Sequence, residues 1–520
     1  MRSLLPVEAP WWPTAEVADS NQTGSRHGLP ALAVLLALSA FLWLHGLAGN
    51  SLWNDEAFSY FVAWRGPAAA LRLIADDVQP PFYYLVLSLW LNLGHSVVVL
   101  RGLSALAMML AVIPVYDGLR RLVGTRTALL TTLLFVTSPW VASWTHIARP
   151  YPLQVLLVAI SFWGFARVWT APEAEDKLLG QGITGLFASG RVGAASIDLA
   201  WIAYTIGGAL AVLTQYPAGF FVLGCNCAVA LRVFPDLRRH RGLLLNWSLA
   251  QVLLIGVWMI WLPGMLTQFG AHLTPGQIEA RHRNYLISAD DLGMTLRGLL
   301  SVAYLWRAQL PFVALYAVLA CSGIVHLFKR GCMLPGCVLV LAPLTTCIGG
   351  FFLLHPVFGY VIYTFVWMLP FYLMLVAAGI LLFGRAFGTM LLGLVLLGNA
   401  WGLVNYYAVP TVPLDKVAGL IGAQMQPGDA IVLSESAATR WGLAYYLGPE
   451  RQAALAGLDI STLGDRGLIQ SLDRARGFRR VWVVLPRGEE AAVDLPALGR
   501  EMPLESRTQI GDVMILCLTR

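Results

Sequence analysis

Apolar stretches of about 20 residues recur along most of the chain, and a helix needs that length to cross roughly 30 Å of hydrocarbon. In that medium each backbone N–H and C=O must be paired within its own segment, which confines the chain to a bundle of spanning helices. Composition agrees. Of 520 residues, 58% are hydrophobic and 12% charged, against about 25% charged in a soluble globular protein. A soluble enzyme is excluded. Eleven spans are expected, near 29–47, 97–119, 127–146, 151–169, 199–214, 217–233, 243–263, 309–328, 334–354, 364–383 and 387–407.

The net charge of +6 would suit a polyanion partner in a soluble chain. Here the basic residues set orientation instead. Arg120, Arg121 and Arg126, then Arg232, Arg238, Arg239 and Arg241, then Lys329 and Arg330, then Arg385 fall in alternate loops, as the positive-inside rule requires of cytoplasmic ones. No nucleic-acid partner is expected. Residues 1–28 become a cytoplasmic tail, and 48–96 and 264–308 become long outer loops. The apolar stretch 82–93 is too short to cross and is expected along the outer interface, with Tyr83 and Tyr84 near the headgroups.

Charge density changes at residue 410. Residues 410–520 hold 25 charged side chains in 111 positions, whereas the preceding 409 positions hold 39. That marks a separate soluble domain, placed outside the cytoplasm by the odd number of spans. A helix-like stretch at 415–425 and apolar strand candidates at 430–433, 481–485 and 513–516 predict a small α/β fold. Seven cysteines, mostly in or beside spans, do not make a disulfide framework, and Cys225-Asn226-Cys227 lacks further metal ligands nearby. No phosphate-binding glycine loop is present, so ATP-driven transport has no support in this chain.

Three outer segments carry residues suited to chemistry. Trp53-Asn54-Asp55-Glu56 sets two carboxylates just beyond the first span: either a base facing a lipid-borne substrate or a solvated pair opening a helix, with Asn54 or Asp55 as its cap. Asp76-Asp77-Val78-Gln79-Pro80-Pro81-Phe82-Tyr83-Tyr84 sets an acid and an amide before a proline-started helix, with Asp77 either facing substrate or opening that helix. His146-Ile147-Ala148-Arg149-Pro150-Tyr151 sets an arginine between two apolar spans, where its planar fork suits a phosphate and His146 and Tyr151 add donors. Snorkelling to headgroups, or pairing with Asp55, is the alternative for Arg149.

Taken in this order, the three segments resemble the GT-C glycosyltransferases, specifically glycosyltransferase family 39, with the bacterial relatives of protein O-mannosyltransferase and of the lipid A aminoarabinose transferase. The resemblance covers the layout of about the first 410 residues and is most specific over 53–151. It implies a polytopic α-helical membrane enzyme of GT-C type, with an extracytoplasmic α/β tail, in the bacterial cytoplasmic membrane. It also implies inverting transfer of a sugar from a polyprenyl-phosphate donor to a hydroxyl of a glycan, lipid or protein outside the cytoplasm. Asp55 matches the family's first-loop acid, with Glu56 as its companion. Asp77, Gln79 and Pro80 match an Asp-x-His-Pro-Pro segment, Gln79 standing where His is common. Arg149 and Tyr151 match the loop near the carrier phosphate. Two departures stand out: His146 begins a segment that lacks the relatives' frequent Glu, and Ile362-Tyr363 replaces a frequent Arg-Tyr pair. Metal use stays open. Arg281 and Arg283 in the 264–308 loop, together with His355, are further candidates for substrate contact. A carrier or flippase-like transporter, and an impaired relative serving as a binding subunit, are the rival readings.

Overall fold

The computed structural model describes residues 15–75, 77–170, 192–272, 309–329, 366–409, 412–433, 440–448, 478–486 and 502–519. In chain order the helices are α1 Ala15–Leu44, α2 Asn54–Ala63, α3 Pro67–Ile74, α4 Phe82–Trp90, α5 Val97–Val123, α6 Thr125–Thr137, α7 Pro139–Thr145, α8 Tyr151–Trp169, α9 Val192–Thr214 and α10 Gly219–Val233. There follow α11 Arg241–Met259, α12 Leu262–His272, α13 Gln309–Lys329, α14 Leu369–Leu382 and α15 Gly384–Ala408. The tail contains α16 Leu414–Gln424, β1 Ala430–Leu433, α17 Arg440–Leu447, β2 Arg480–Pro486, β3 Leu504–Ile510 and β4 Val513–Thr519. The chain divides into two compact units: residues 1–45, 66–92 and 101–408 form the first, and 46–65, 93–100 and 409–520 the second.

The first unit is a multi-pass membrane bundle. Among the described residues, six helices are long and apolar enough to cross a membrane, or seven with one bent pair counted as a single span. Shorter apolar helices at Gly28–Leu44, Leu199–Thr214 and Val366–Leu382 coincide with three more expected spans, while 334–354 lies outside the described residues. The expected continuous span 127–146 is corrected to the bent pair α6 and α7, which meet at 59°. Pro139 lacks an amide hydrogen and pushes Ser138 into an extended conformation (ψ 123°), so the helix stops and restarts with Ser138 as N-cap.

Packing in the bundle depends on small residues, since lipid supplies no hydrophobic force between helices. Gly323 of α13 and Gly379 of α14 approach each other reciprocally. A Cβ on either would strike the carbonyl of Leu375 or Leu319 of the facing helix. Gly207 of α9 lies under α8 in the same way, where a Cβ would come 2.9 Å from the Leu157 carbonyl oxygen, and Ser161 donates to the Tyr204 carbonyl beside it at 2.8 Å. The bundle has two distinct ends. Gly28 of α1 lies against the Tyr116 hydroxyl of α5, whereas the Trp43 carbonyl meets His146. Along α1 those points are about 22 Å apart.

In the second unit a four-stranded sheet has the order β1-β2-β4-β3, with β1 and β2 parallel and the other pairs antiparallel. The parallel pair needs a crossover, and α17 lies in it. Alternation with period two sends Ile431, Trp482, Val484 and Ile515 towards α16 and α17, and Val432, Val483, Met514 and Leu516 to the opposite face. Gly511 (φ +57°) and Asp512 turn β3 into β4. The three expected strands and the helix of the tail are present; β3 was not expected.

Candidate active site

In the second unit, α2 begins at Trp53, which is its N-cap, so Asn54, Asp55 and Glu56 are its first three helical residues. Neither Asn54 nor Asp55 is the cap expected from sequence. The Glu56 carboxylate accepts the Trp53 backbone N–H at 2.9 Å and is 1% exposed. An acid at this third position closes the first turn and suits the positive end of the helix. Glu56 thus closes the first turn of α2 beside Asp55. Asp55 is half-buried on the same turn, and its backbone carbonyl accepts the Ser59 hydroxyl at 2.9 Å.

The start of α2 is fixed by the tail, a dependence that sequence reasoning missed. The Asn54 amide oxygen accepts the Trp441 backbone N–H at 2.9 Å. Leu52 N–H donates to the Tyr446 hydroxyl at 2.9 Å, and Ser51 donates to the Asp415 carboxylate at 2.6 Å. Phe58 and Phe61 stack against Trp441 with centroids 5.9 and 5.4 Å apart. Tyr60 packs edge-on against Tyr445 at 5.0 Å, and burial raises its phenol pKa. The backbone that carries Asp55 is therefore held by α17.

In the first unit, Arg149 lies in the turn between α7 and α8, is 6% exposed, and places its guanidinium 6.0 Å from the Tyr151 ring centroid. Pro150 and Pro152 flank the start of α8, where missing amide hydrogens cost nothing. Tyr151 in turn packs edge-on against Trp144 at 4.9 Å. A buried guanidinium held over an aromatic ring has its motion restricted, and its planar N–H fork suits a phosphate. His146 has another task. Its Nε2 lies 2.9 Å from the Trp43 carbonyl, which only accepts, so that nitrogen carries hydrogen, and Nδ1 lies 3.0 Å from the Tyr406 hydroxyl. Both ring nitrogens are used inside the fold. His146 thereby ties together α1, α7 and α15.

A polar network surrounds Gln79 in the same unit. Its side-chain oxygen accepts from the Tyr84 hydroxyl at 3.1 Å and from the Gln215 amide at 3.2 Å. Its backbone carbonyl accepts from the Gln268 amide at 2.8 Å, which also reaches the Ile74 carbonyl at 2.8 Å. Tyr216 donates to Gln268 at 2.6 Å. Asp77 is half-buried in the bend before α4, and Pro80 is buried. Tyr83 and Tyr84 are 1% and 0% exposed, so both are packed inside the protein. Arg281, Arg283 and His355 lie outside the described residues.

Sequence reasoning also passed over Gln215, Gln268 and Arg101. Arg101 is 3% exposed in the opening turns of α5, and the reasoning that singled out Arg149, a cation at the edge of an apolar span, applies equally to it. The glutamines gave no signal, because an isolated Gln within or just after a helix is compatible with ordinary solvation. Among the described residues no group of three or more His, Cys, Asp and Glu side chains is placed to hold a metal ion.

Residues 78–190 match the family model described as dolichyl-phosphate-mannose-protein mannosyltransferase. No curated protein sequence matches the chain. Among solved structures, ArnT from Cupriavidus metallidurans bound to undecaprenyl phosphate is similar, with a TM-score of 0.54 at 14% identity over 93% of this chain and 97% of that one. The oligosaccharyltransferase of Archaeoglobus fulgidus in its apo form gives a TM-score of 0.52 at 14% identity, over 88% of this chain and 69% of that one. The archaeal oligosaccharyltransferase AglB from Archaeoglobus fulgidus, with an inhibitory peptide and a dolichol-phosphate, gives 0.51 at 13% identity over 94% and 74%. The fold is that of these GT-C membrane enzymes, and the resemblance read from the three motifs is borne out.

Proposed function

We propose that this protein is a membrane glycosyltransferase that moves a sugar from a polyprenyl-phosphate carrier to an acceptor hydroxyl on the extracytoplasmic face, with inversion at the anomeric carbon. The observation that carries the reading is the buried Arg149 fork at the head of α8, within the segment that matches a lipid-phosphate-sugar mannosyltransferase model.

Each residue has a physical task in this reading. Asp55 orients the acceptor hydroxyl and takes its proton, a role worth about 100- to 10,000-fold. Arg149 stabilises charge as it develops on the departing phosphate, and Tyr151 fixes the plane of its fork. The Gln79 network holds the loop ahead of α4, where the carried-over Asp77 stands. Arg281, Arg283 and His355 supply further donors to the phosphate or sugar. Asp55 acts as a base rather than a nucleophile, so no covalent enzyme intermediate forms and displacement inverts. The second unit, with its charged surface, lies outside the cytoplasm, and the membrane is the cytoplasmic membrane of a bacterium.

A transporter reading is less well supported. Transport sites place ionisable groups in the middle of broken spans, whereas in the described spanning helices Arg101, Asp117, Arg120, Arg121, Arg126, Arg167, Arg232, Arg241, Lys329 and Arg385 all stand near a helix end. The test is mass spectrometry of glycans, lipids and proteins from cells with and without the chain. One sugar modification is expected to vanish on deletion and return with the wild-type chain. An unchanged inventory would reject the reading.

A further inference from the structure

Away from the Arg149 end, α1, α5 and α8 enclose an open groove of about 660 Å³. Its wall is apolar: Leu29, Leu32, Leu110, Ile113, Leu156 and Ile160. Its mouth is polar: Tyr116, Asp117, Arg120 and Trp163. Pro114 lines it midway, and as a proline within α5 it removes the hydrogen bond that would close on the Leu110 carbonyl. From Leu110 to Asp117 the groove follows α5 for about 10 Å, starting at the charged end and descending into the apolar part of the bundle.

The mouth is a constructed arginine pair. The Asp117 carboxylate accepts Arg120 Nη2 on one oxygen at 2.5 Å, and Arg121 Nε and Trp163 Nε1 on the other, both at 2.9 Å. Arg167, one turn beyond, places its guanidinium 5.1 Å from the Trp163 ring centroid. Two guanidiniums share this one carboxylate, so among the described residues the cluster at the mouth carries a net positive charge. Asp117 also locks the two adjacent arginines side by side, leaving terminal N–H groups of both outside that carboxylate's reach. An apolar slot below a net-positive fork matches one ligand chemistry: a phosphodiester headgroup with an acyl chain beneath it.

We propose that this groove binds an anionic phospholipid, with its phosphate at Arg120 and Arg121 and an acyl chain against Ile113 and Leu156. The lipid would fasten α1 to α5 and α8 at the end opposite Arg149. Its readout is independent of sugar transfer, so its failure and that of the proposed function are separable.

The full chain is purified and exposed to equimolar dioleoylphosphatidylglycerol and dioleoylphosphatidylcholine, and retained lipid is measured by native mass spectrometry. Phosphatidylglycerol is expected to be retained about 30-fold over phosphatidylcholine, as two basic contacts would give. The double variant R120Q/R121Q should lose that preference. Ile113, 44% exposed in the groove, offers a variant that keeps every charge: Ile113→Trp should displace both lipids by filling the slot. Equal retention of the two lipids by the wild-type chain overturns the proposal. So does a preference that survives in a folded R120Q/R121Q or in Ile113→Trp, and so does full competition by soluble glycerol phosphate, which would show a headgroup site without a chain.

Discussion

Arg149 stands out in the sequence because a cation between two apolar spans is costly without an anion, and the structure adds what sequence could not, its place over the Tyr151 ring. The planar fork, and not only the charge, is part of the proposed chemistry. Arg149→Lys keeps the charge but loses the paired N–H fork. It should lower the transfer rate by about 10- to 100-fold, a loss of 1.4–2.8 kcal/mol of transition-state stabilisation, with the fold intact by thermal melting. Steady-state kinetics against donor concentration measures it, and an unchanged rate and donor dependence would remove Arg149 from the site. His146 shows what a sequence leaves out. A histidine at a span end reads as a donor, yet which groups take its two nitrogens depends on Trp43 and Tyr406, 103 and 260 positions away.

At the scale of elements, helices and strands with a strong apolar pattern were readable and the others were not. β3, Leu504–Ile510, is exposed along most of its length because it is the sheet edge, so its polar sequence carries no strand signal. β4 beside it is buried almost throughout and was found. The α6–α7 break was written in Ser138-Pro139, but hydropathy alone ran through it. The attachment of α2 to α17 had no sequence signature, since it rests on hydrogen bonds between residues nearly 400 positions apart. β4 also yields a pH dependence. Burial, then the hydrogen bond to the Glu505 carboxylate, pushes the Cys517 thiol up from 9.0 to about 11, with the Arg480 guanidinium 3.5 Å from the sulfur opposing the rise. The folded state therefore holds this proton more tightly than the unfolded chain. The stability it supplies is complete below about pH 9 and is lost as pH rises from 9 towards 11. The thermal midpoint of the tail unit should fall across that window in the wild-type protein and fall less in Cys517→Ala; equal slopes would refute the assignment.

For the whole molecule, the separation into a membrane bundle and a charged tail was visible in charge density alone. The assignment of residues 46–65 to the same unit as the tail was not, because a loop's partner is a matter of packing rather than composition. The proposed orientation rests on the arginine clusters. A maleimide that cannot cross the membrane should label a cysteine introduced near Ala57 or on Asp512 in intact cells, and should not label one beside Arg239. The reverse pattern would overturn the placement of the chemistry outside the cytoplasm.

The account as a whole rests on sugar transfer from a polyprenyl phosphate with Asp55 as the base. The decisive measurement is single-turnover transfer by purified protein, with labelled polyprenyl-phosphate sugar and an acceptor identified by the mass spectrometry above, comparing the wild-type chain with Asp55→Asn. Asp55→Asn should bind donor as the wild type does and lose at least about 100-fold in the transfer step. Transfer at the wild-type rate by a folded Asp55→Asn protein would contradict the account.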